Sequence, residues 1–211
     1  MINRSIRKSS RRWELLAPVV ILLSLPIVRS TAADKLVVWD GDQITDGQSW
    51  VAPQRDTNSY KPQAAEAHSG KTALELRAEG AEWVGGGWNW YGWWPPTAGA
   101  DTTRFTHLTF WLKVKGRFTN QINVWLNCSA TKKECTKVNL FDYVKDVADG
   151  QWHELVIPLA DLTKEQTGFD PKTVWEFDLG TWSPETGSIS LFVDDIAFEN
   201  RSGPAPAVQK P

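Results

Sequence analysis

Short stretches in which apolar and polar residues alternate run through most of this chain, and they end at Gly, Pro, Asp, Asn or Thr. A period of two is typical of strands with one buried face, because successive side chains of a strand point to opposite sides of the sheet. No long amphipathic helix is evident. The sequence therefore predicts an all-β fold, a jelly-roll sandwich of two antiparallel sheets. The predicted strands are 35–39, 72–78, 82–93, 105–115, 119–127, 137–144, 152–159, 173–179 and 188–199, with one helical turn at 160–166.

Residues 1–33 have the pattern of a secretory signal. Five basic residues precede an apolar run at 15–28, and the small residues 31–33 follow as a cleavage site. A run of fourteen is short for a membrane span, which needs about 20 residues. We therefore expect a secreted, periplasmic or envelope protein with no membrane span after cleavage, and an uncleaved anchor is the alternative. The remaining chain is predicted to form one sandwich domain at 34–200 and a disordered, Pro-rich tail at 201–211.

Loss of residues 1–33 makes the chain more acidic, because the segment holds six basic residues and one acidic residue. The net charge then changes from −2 to −7. Nucleic-acid binding requires a basic surface that neutralises phosphates. The composition thus argues against nucleic acid and anionic polysaccharides as partners, and we expect a monomer.

Two cysteines, Cys128 and Cys135, lie seven positions apart. In an oxidising compartment this spacing predicts a disulfide that closes a short loop. A metal site is a weaker interpretation, because no histidine lies near them in sequence.

Alternation assigns faces to three of the predicted strands. The aliphatic residues of each strand are expected to point into the core. The opposite set mixes aromatic rings with amides, and it includes Trp111, Asn123, Trp125, Asn127 and Tyr143. Aromatic rings stack on the apolar faces of sugars while amides and carboxylates bind the surrounding hydroxyls, so this mixture indicates a small-ligand site. The alternative is that single rings of this set are covered by loops and only pack.

The segment 83–96, WVGGGWNWYGWWPP, concentrates five tryptophans and one tyrosine in fourteen positions. Alternation puts Trp88 and Trp90 on one face of its strand, and Tyr91 and Trp93 on the other. Its glycines predict a bulge or a close approach by backbone or ligand. Both faces cannot be core in a two-layer sandwich, so we expect some of these rings to be accessible. The candidate ligand-binding residues are Trp88, Trp90, Tyr91, Trp93, Trp94, Trp111, Asn123, Trp125, Asn127, Tyr143, Glu176 and Asp178.

Four segments together resemble the carbohydrate-binding modules with a galactose-binding-like jelly roll. They are VVWDGD at 37–42, HSGKTALEL at 68–76, QWHELVIPLADL at 151–162 and LFVDDIAF at 191–198. The resemblance covers about residues 35–199, and it implies a non-catalytic module that binds a poly- or oligosaccharide.

The same resemblance implies a structural calcium ion between the first and last strands. Asp194 matches the ligand on the closing strand, and Asp40 or Asp42 matches the opening acid. Oxygen ligands of this kind suit calcium. The alternative is that Asp194 caps or charges an edge strand.

Two other functions remain open at this stage. Glu176 and Asp178 lie two apart, as the catalytic carboxylates of laminarinase-type glycoside hydrolases do, but the second glutamate of that pattern is missing. A small glycosidase or lyase is therefore disfavoured. An envelope domain that binds another protein through its aromatic face is the second alternative, and it would present a wide, flat surface.

Overall fold

The computed structural model describes residues 35–43, 47–79, 83–91, 96, 98–116, 121–182 and 188–201. The predicted signal, the Pro-rich tail and the candidates Trp93 and Trp94 lie outside these residues. The described strands are β1 (Lys35–Trp39), β2 (Gln48–Ala52), β3 (Ser59–Gln63), β4 (Ala73–Glu79), β5 (Trp83–Asn89), β6 (His107–Lys115), β7 (Ile122–Cys128), β8 (Val138–Asn139), β9 (Trp152–Pro158), β10 (Val174–Trp182) and β11 (Ser188–Glu199). A 3₁₀ turn covers Leu140–Asp142, and one helical turn, α1, covers Leu159–Leu162.

The strands form two antiparallel sheets, which confirms the predicted sandwich. The six-stranded sheet has the order β3-β4-β11-β6-β9, with β1 also paired to β11. The five-stranded sheet has the order β2-β5-β10-β7-β8. Strand β11 is central, since β4 and β1 pair along one of its edges and β6 along the other.

Aromatic pairs join the two sheets through the core. The rings of Trp39 and Trp88 meet edge to face with centroids 4.8 Å apart, and those of Phe110 and Phe177 do so at 5.2 Å. Edge-to-face pairs at these distances add to the stability given by burial of apolar area. The aliphatic residues assigned to the core of β6 and β7 are buried, as predicted.

Two strands were not predicted, and both are edge strands. Strand β3 contains Pro62, which cannot donate to a ladder and is tolerated at a sheet edge. Strand β2 shows no apolar alternation, and all of its residues are at least partly exposed. Sequence periodicity reports strands with one buried face, so short, partly exposed edges escape it.

The predicted strand at 137–144 is wrong beyond Asn139. The Asn139 side chain accepts hydrogen bonds from the backbone N–H of Phe141 and of Ile122. An asparagine that bonds to nearby backbone competes with the sheet ladder. The chain therefore enters the 3₁₀ turn, and the hydroxyl of Tyr143 donates to Asp161 at 2.8 Å instead of lying on a strand face.

The predicted disulfide is not formed, since Cys128 and Cys135 are both buried free thiols. Their backbones pair in a hairpin in which Cys128 opposes Lys133 and Cys135 opposes Leu126. The two cysteines are thus diagonal neighbours, and diagonal residues lie about 7–8 Å apart. A disulfide requires Cα atoms about 4.4–6.8 Å apart, so this register does not favour the bond.

Candidate functional site

The outer face of the five-stranded sheet collects the polar and aromatic residues that alternate with the core positions. In β10, Phe177 and Leu179 are fully buried in the core cluster. Their neighbours therefore point outward. The residues of this outer face are Trp50 on β2; Trp83, Gly85, Gly87 and Asn89 on β5; Glu176, Asp178, Gly180 and Trp182 on β10; and Asn123, Trp125 and Asn127 on β7.

Glycines at the centre of the outer face let side chains lie directly on the backbone. A Cβ atom at Gly87 would collide with Asp178 Oδ1 and Trp50 Nε1, each nearer than 3.0 Å. A Cβ at Gly85 would collide with the Trp83 ring in the same way. The register of β5 against β10 is continuous from Trp83 to Asn89. The triple glycine thus serves close approach and not a bulge.

One end of the outer face is aromatic and open. Trp83 and Trp182 oppose each other across β5 and β10. Together with Ala52 and Pro53 they line a depression of about 410 Å³. Trp182 is 51% exposed, so its ring is available to a ligand.

The other end of the outer face is polar and more enclosed. A cavity of about 240 Å³ lies there, lined by Trp50, Asn89, Asn127, Glu176, Trp175, Lys132 and Cys128. Asn89, at this end, lies roughly 20 Å from Trp83 along β5, because a strand rises about 3.3 Å per residue. The face therefore offers aromatic and hydrogen-bonding surface to an extended molecule.

A hydrogen-bonded carboxyl pair forms the floor beside this cavity. Asn127 Nδ2 donates to Glu176 Oε1 at 3.0 Å and to Asp178 Oδ2 at 2.6 Å. Asp178 is fully buried. Burial raises its pKa well above the ordinary value, and the Glu176 charge raises it further. Burial and the neighbouring carboxyl group thus favour the protonated, uncharged form of Asp178.

This pair does not have the geometry of a retaining glycosidase. Asp178 lies within hydrogen-bonding distance of Glu176. Retaining catalysis places its two carboxyl groups about 5–5.5 Å apart, on either side of the scissile bond. Asp178 is instead fully buried beside Glu176, so the pair cannot flank a glycosidic bond.

The structure brings five of the predicted ligand residues together on the outer face: Asn123, Trp125, Asn127, Glu176 and Asp178. Three of these are buried: Glu176 lines the polar cavity, whereas Trp125 and Asp178 line neither cavity. Trp125 is 3% exposed, and the ammonium group of Lys137 lies 4.2 Å from its ring centroid. Asp178 lies beneath the surface. Neither residue presents surface to a ligand without rearrangement.

Other predicted ligand residues lie elsewhere. Trp88 is in the core, 1% exposed, and Trp90 packs against the core and Phe198. Trp111 lies on the six-stranded sheet, where the His68 ring stacks on it at 3.8 Å. Tyr91 is 41% exposed beside Trp90. The sequence prediction treated Trp111 and Trp125 as neighbours on successive strands, but β6 and β7 belong to opposite sheets.

The prediction missed Trp50, Trp83, Asn89 and Trp182 as ligand candidates. A signal existed for Trp182, because the alternation of β10 continues through Gly180 beyond the predicted end at 179. Trp50 lies on the edge strand that periodicity did not detect.

The carboxylates expected to bind calcium make hydrogen bonds to nearby backbone. Asp194 is buried, and its oxygens accept hydrogen bonds from the backbone N–H groups of His68, Ser69 and Asp195. Asp40 Oδ1 accepts two more from its own turn. Within the described ranges, no three His, Cys, Asp or Glu side chains form a group that could hold a metal. The calcium site implied by the resemblance stays a prediction.

Within the same ranges, no helix has the length and apolarity to cross a membrane.

Comparison with known families gives a match between residues 33–200 and carbohydrate binding domain 30. A search of curated proteins finds no match.

Solved structures share the fold at low sequence identity. The family 30 carbohydrate-binding module of a cellulosomal cellulase of Clostridium thermocellum is 16% identical, with a TM-score of 0.61, over 80% of this chain and 99% of that chain. A second family 30 module is 18% identical, with a TM-score of 0.59, over 83% and 93%. A family 11 module of C. thermocellum, in complex with a β-1,3-1,4-mixed-linked tetrasaccharide, is 10% identical, with a TM-score of 0.53, over 79% and 95%.

Proposed function

The chain belongs to the carbohydrate binding domain 30 family, and from this we propose that its outer face binds a β-linked glucan chain. The family makes the chain a carbohydrate-binding module and not an enzyme. The site and the sugar are our proposal. The observation that carries it is the pairing, on one face, of the exposed Trp83–Trp182 end with the polar cavity beside Glu176.

The aromatic end suits the faces of sugar rings. Trp83 and Trp182 are adjacent on neighbouring strands, and the glycines beside them hold no side chain that would lift a ligand off the rings. Stacking buries apolar area on both partners, which is the main favourable term for such a contact.

The polar end suits sugar hydroxyls. Asn89, Asn127 and Glu176 line the cavity with amide and carboxylate groups that can fix the orientation of a ring. The uneven shape of the outer face also favours sugar binding over protein binding. A protein partner would favour a flat, wide surface, whereas here an open depression and a more enclosed cavity share one face.

The β-linked glucan is inferred from the family 11 module, which has a similar fold and holds a mixed-linked tetrasaccharide. The test is isothermal titration of the domain with that tetrasaccharide, with a β-mannan and a β-xylan as comparisons. Saturable binding of the glucan, stronger than that of the other two, supports the proposal. Absence of binding to all three by a folded domain would overturn it.

We further propose that the protein is exported as a monomer, since its polysaccharide ligand lies outside cells and residues 1–33 have the pattern of a signal. N-terminal sequencing of the exported protein and sedimentation velocity test these two points.

A further inference from the structure

One buried acceptor in the polar cavity has no partner in the protein. Asn89 is 1% exposed, and its Oδ1 atom has no hydrogen-bond partner among the described residues. Buried polar atoms are nearly always bonded to protein, water or ligand. Because Asn89 lines the cavity, a hydroxyl group of a ligand there would satisfy this oxygen.

The neighbouring residues add further acceptors and a negative charge. Both hydrogens of the Asn127 amide are used, one by Glu176 and one by Asp178, so its oxygen is the atom left for a ligand. Glu176 lines the same cavity and presents its carboxylate group to it. Asp178 lies beneath it and does not line the cavity.

We propose that Glu176, Asn89 and Asn127 form a subsite that selects an uncharged sugar ring and rejects a ring that carries a carboxylate. Hydroxyl groups donate to all three residues, whereas a carboxylate has no hydrogen to donate and would lie beside the Glu176 charge. Like charges that meet in a partly desolvated site disfavour binding strongly. This inference rests on the proposed function and adds a rule for the sugars that the outer face accepts.

Two lysines lie near this subsite, and a lysine there would favour a sugar that carries a carboxylate. Lys132 lines the cavity, and Lys137 pairs with Glu134 at 3.0 Å. Glu134 in turn adds to the negative potential at Asp178. Because Lys132 lines the cavity and Lys137 does not, Lys132 is the lysine that could attract a carboxylate-bearing sugar there.

The experiment compares two probes by isothermal titration. One is the β-1,3-1,4-mixed-linked tetrasaccharide, and the other is the same molecule with its C6 hydroxymethyl groups oxidised to carboxylates. We expect the wild-type domain to bind the oxidised probe at least about tenfold more weakly. Glu176→Gln keeps the shape of the side chain and removes its charge, so this ratio should fall to about threefold or less. Lys132→Gln is the matched control, and it should keep or increase the ratio.

The outcomes separate this inference from the proposed function. If neither probe binds, the proposed function fails first. If the wild type binds both probes equally, or binds the oxidised probe more tightly, the inference is wrong while the proposed function stands. A folded Glu176→Gln variant that still discriminates tenfold would also overturn it. The wild-type comparison alone is decisive if that variant does not fold.

Discussion

Replacement of Trp182 by alanine should weaken glucan binding about tenfold. A tryptophan side chain offers up to about 250 Å² of surface, and Trp182 is 51% exposed. A sugar that stacks on one side of the ring would cover about half of the exposed area, roughly 60 Å². At about 25 cal/mol per Å², this contact contributes about 1.5 kcal/mol, and about 1.4 kcal/mol corresponds to a tenfold change in Kd.

The assay is isothermal titration of Trp182→Ala with the mixed-linked tetrasaccharide, together with thermal unfolding followed by circular dichroism. The half-exposed ring is not part of the core, so we expect the free energy of unfolding to change by less than about 1 kcal/mol. Trp152→Ala is the control, because Trp152 is a partly exposed tryptophan on the opposite sheet, and it should leave Kd unchanged. A folded Trp182→Ala variant with wild-type affinity, or an equal loss in the control, would refute the reasoning.

Further predictions concern the floor of the site, its titration and the expected cofactors. Gly87→Ala should abolish measurable binding in titrations while circular dichroism stays β-rich, because the methyl group displaces Trp50 Nε1 or Asp178 Oδ1; unchanged affinity would contradict the close approach. The pKa of Asp178 is raised by folding, mainly by burial, so its contribution to stability is full below about pH 4 and is lost as pH rises through the folded pKa. Urea unfolding across pH should therefore show Asp178→Asn gaining stability relative to wild type as pH rises, and a constant difference would count against the raised pKa of Asp178. If Asp194 and Asp40 or Asp42 bind calcium, EDTA should lower Tm and added calcium should restore it, and an unchanged Tm would refute the metal hypothesis. Thiol titration of the unreduced, denatured domain should find Cys128 and Cys135 both free, and their absence would indicate a disulfide.

The fold was predictable because its central strands show a clear alternation of apolar and polar residues. Strand β6 alternates Leu108, Phe110 and Leu112 with outward residues, and burial at these positions follows the pattern. The bounds predicted for β6 and β9 agree with the structure to within two residues, whereas the strand predicted at 82–93 ends at Asn89. Edge strands have no second neighbour and little buried surface, so β2 and β3 left no comparable trace.

The site was predictable only in part, for a physical reason. Periodicity shows which side of a strand a residue occupies, but it does not show which sheet the strand joins. Trp111 and Trp125 therefore received the same assignment although they lie on opposite sides of the sandwich. Periodicity also does not show which side chain covers an aromatic ring, such as Lys137, which covers the ring of Trp125. The polar residues Asn127 and Glu176 were found because their outward positions are fixed by the strand alone.

The central position of β11 determines when the six-stranded sheet of this domain can form. The strand at 188–199 supplies the pairing edges of β1, β4 and β6, three strands that precede it by many residues. Until the ribosome has produced it, the edges of these strands that face β11 have no partner, although β4 can pair with β3 and β6 with β9. Such long-range pairing makes folding slow and leaves unpaired edges open to aggregation. The six-stranded sheet thus stays open until β11 has been synthesised, and a fragment that stops short of residue 188 should be degraded or aggregate.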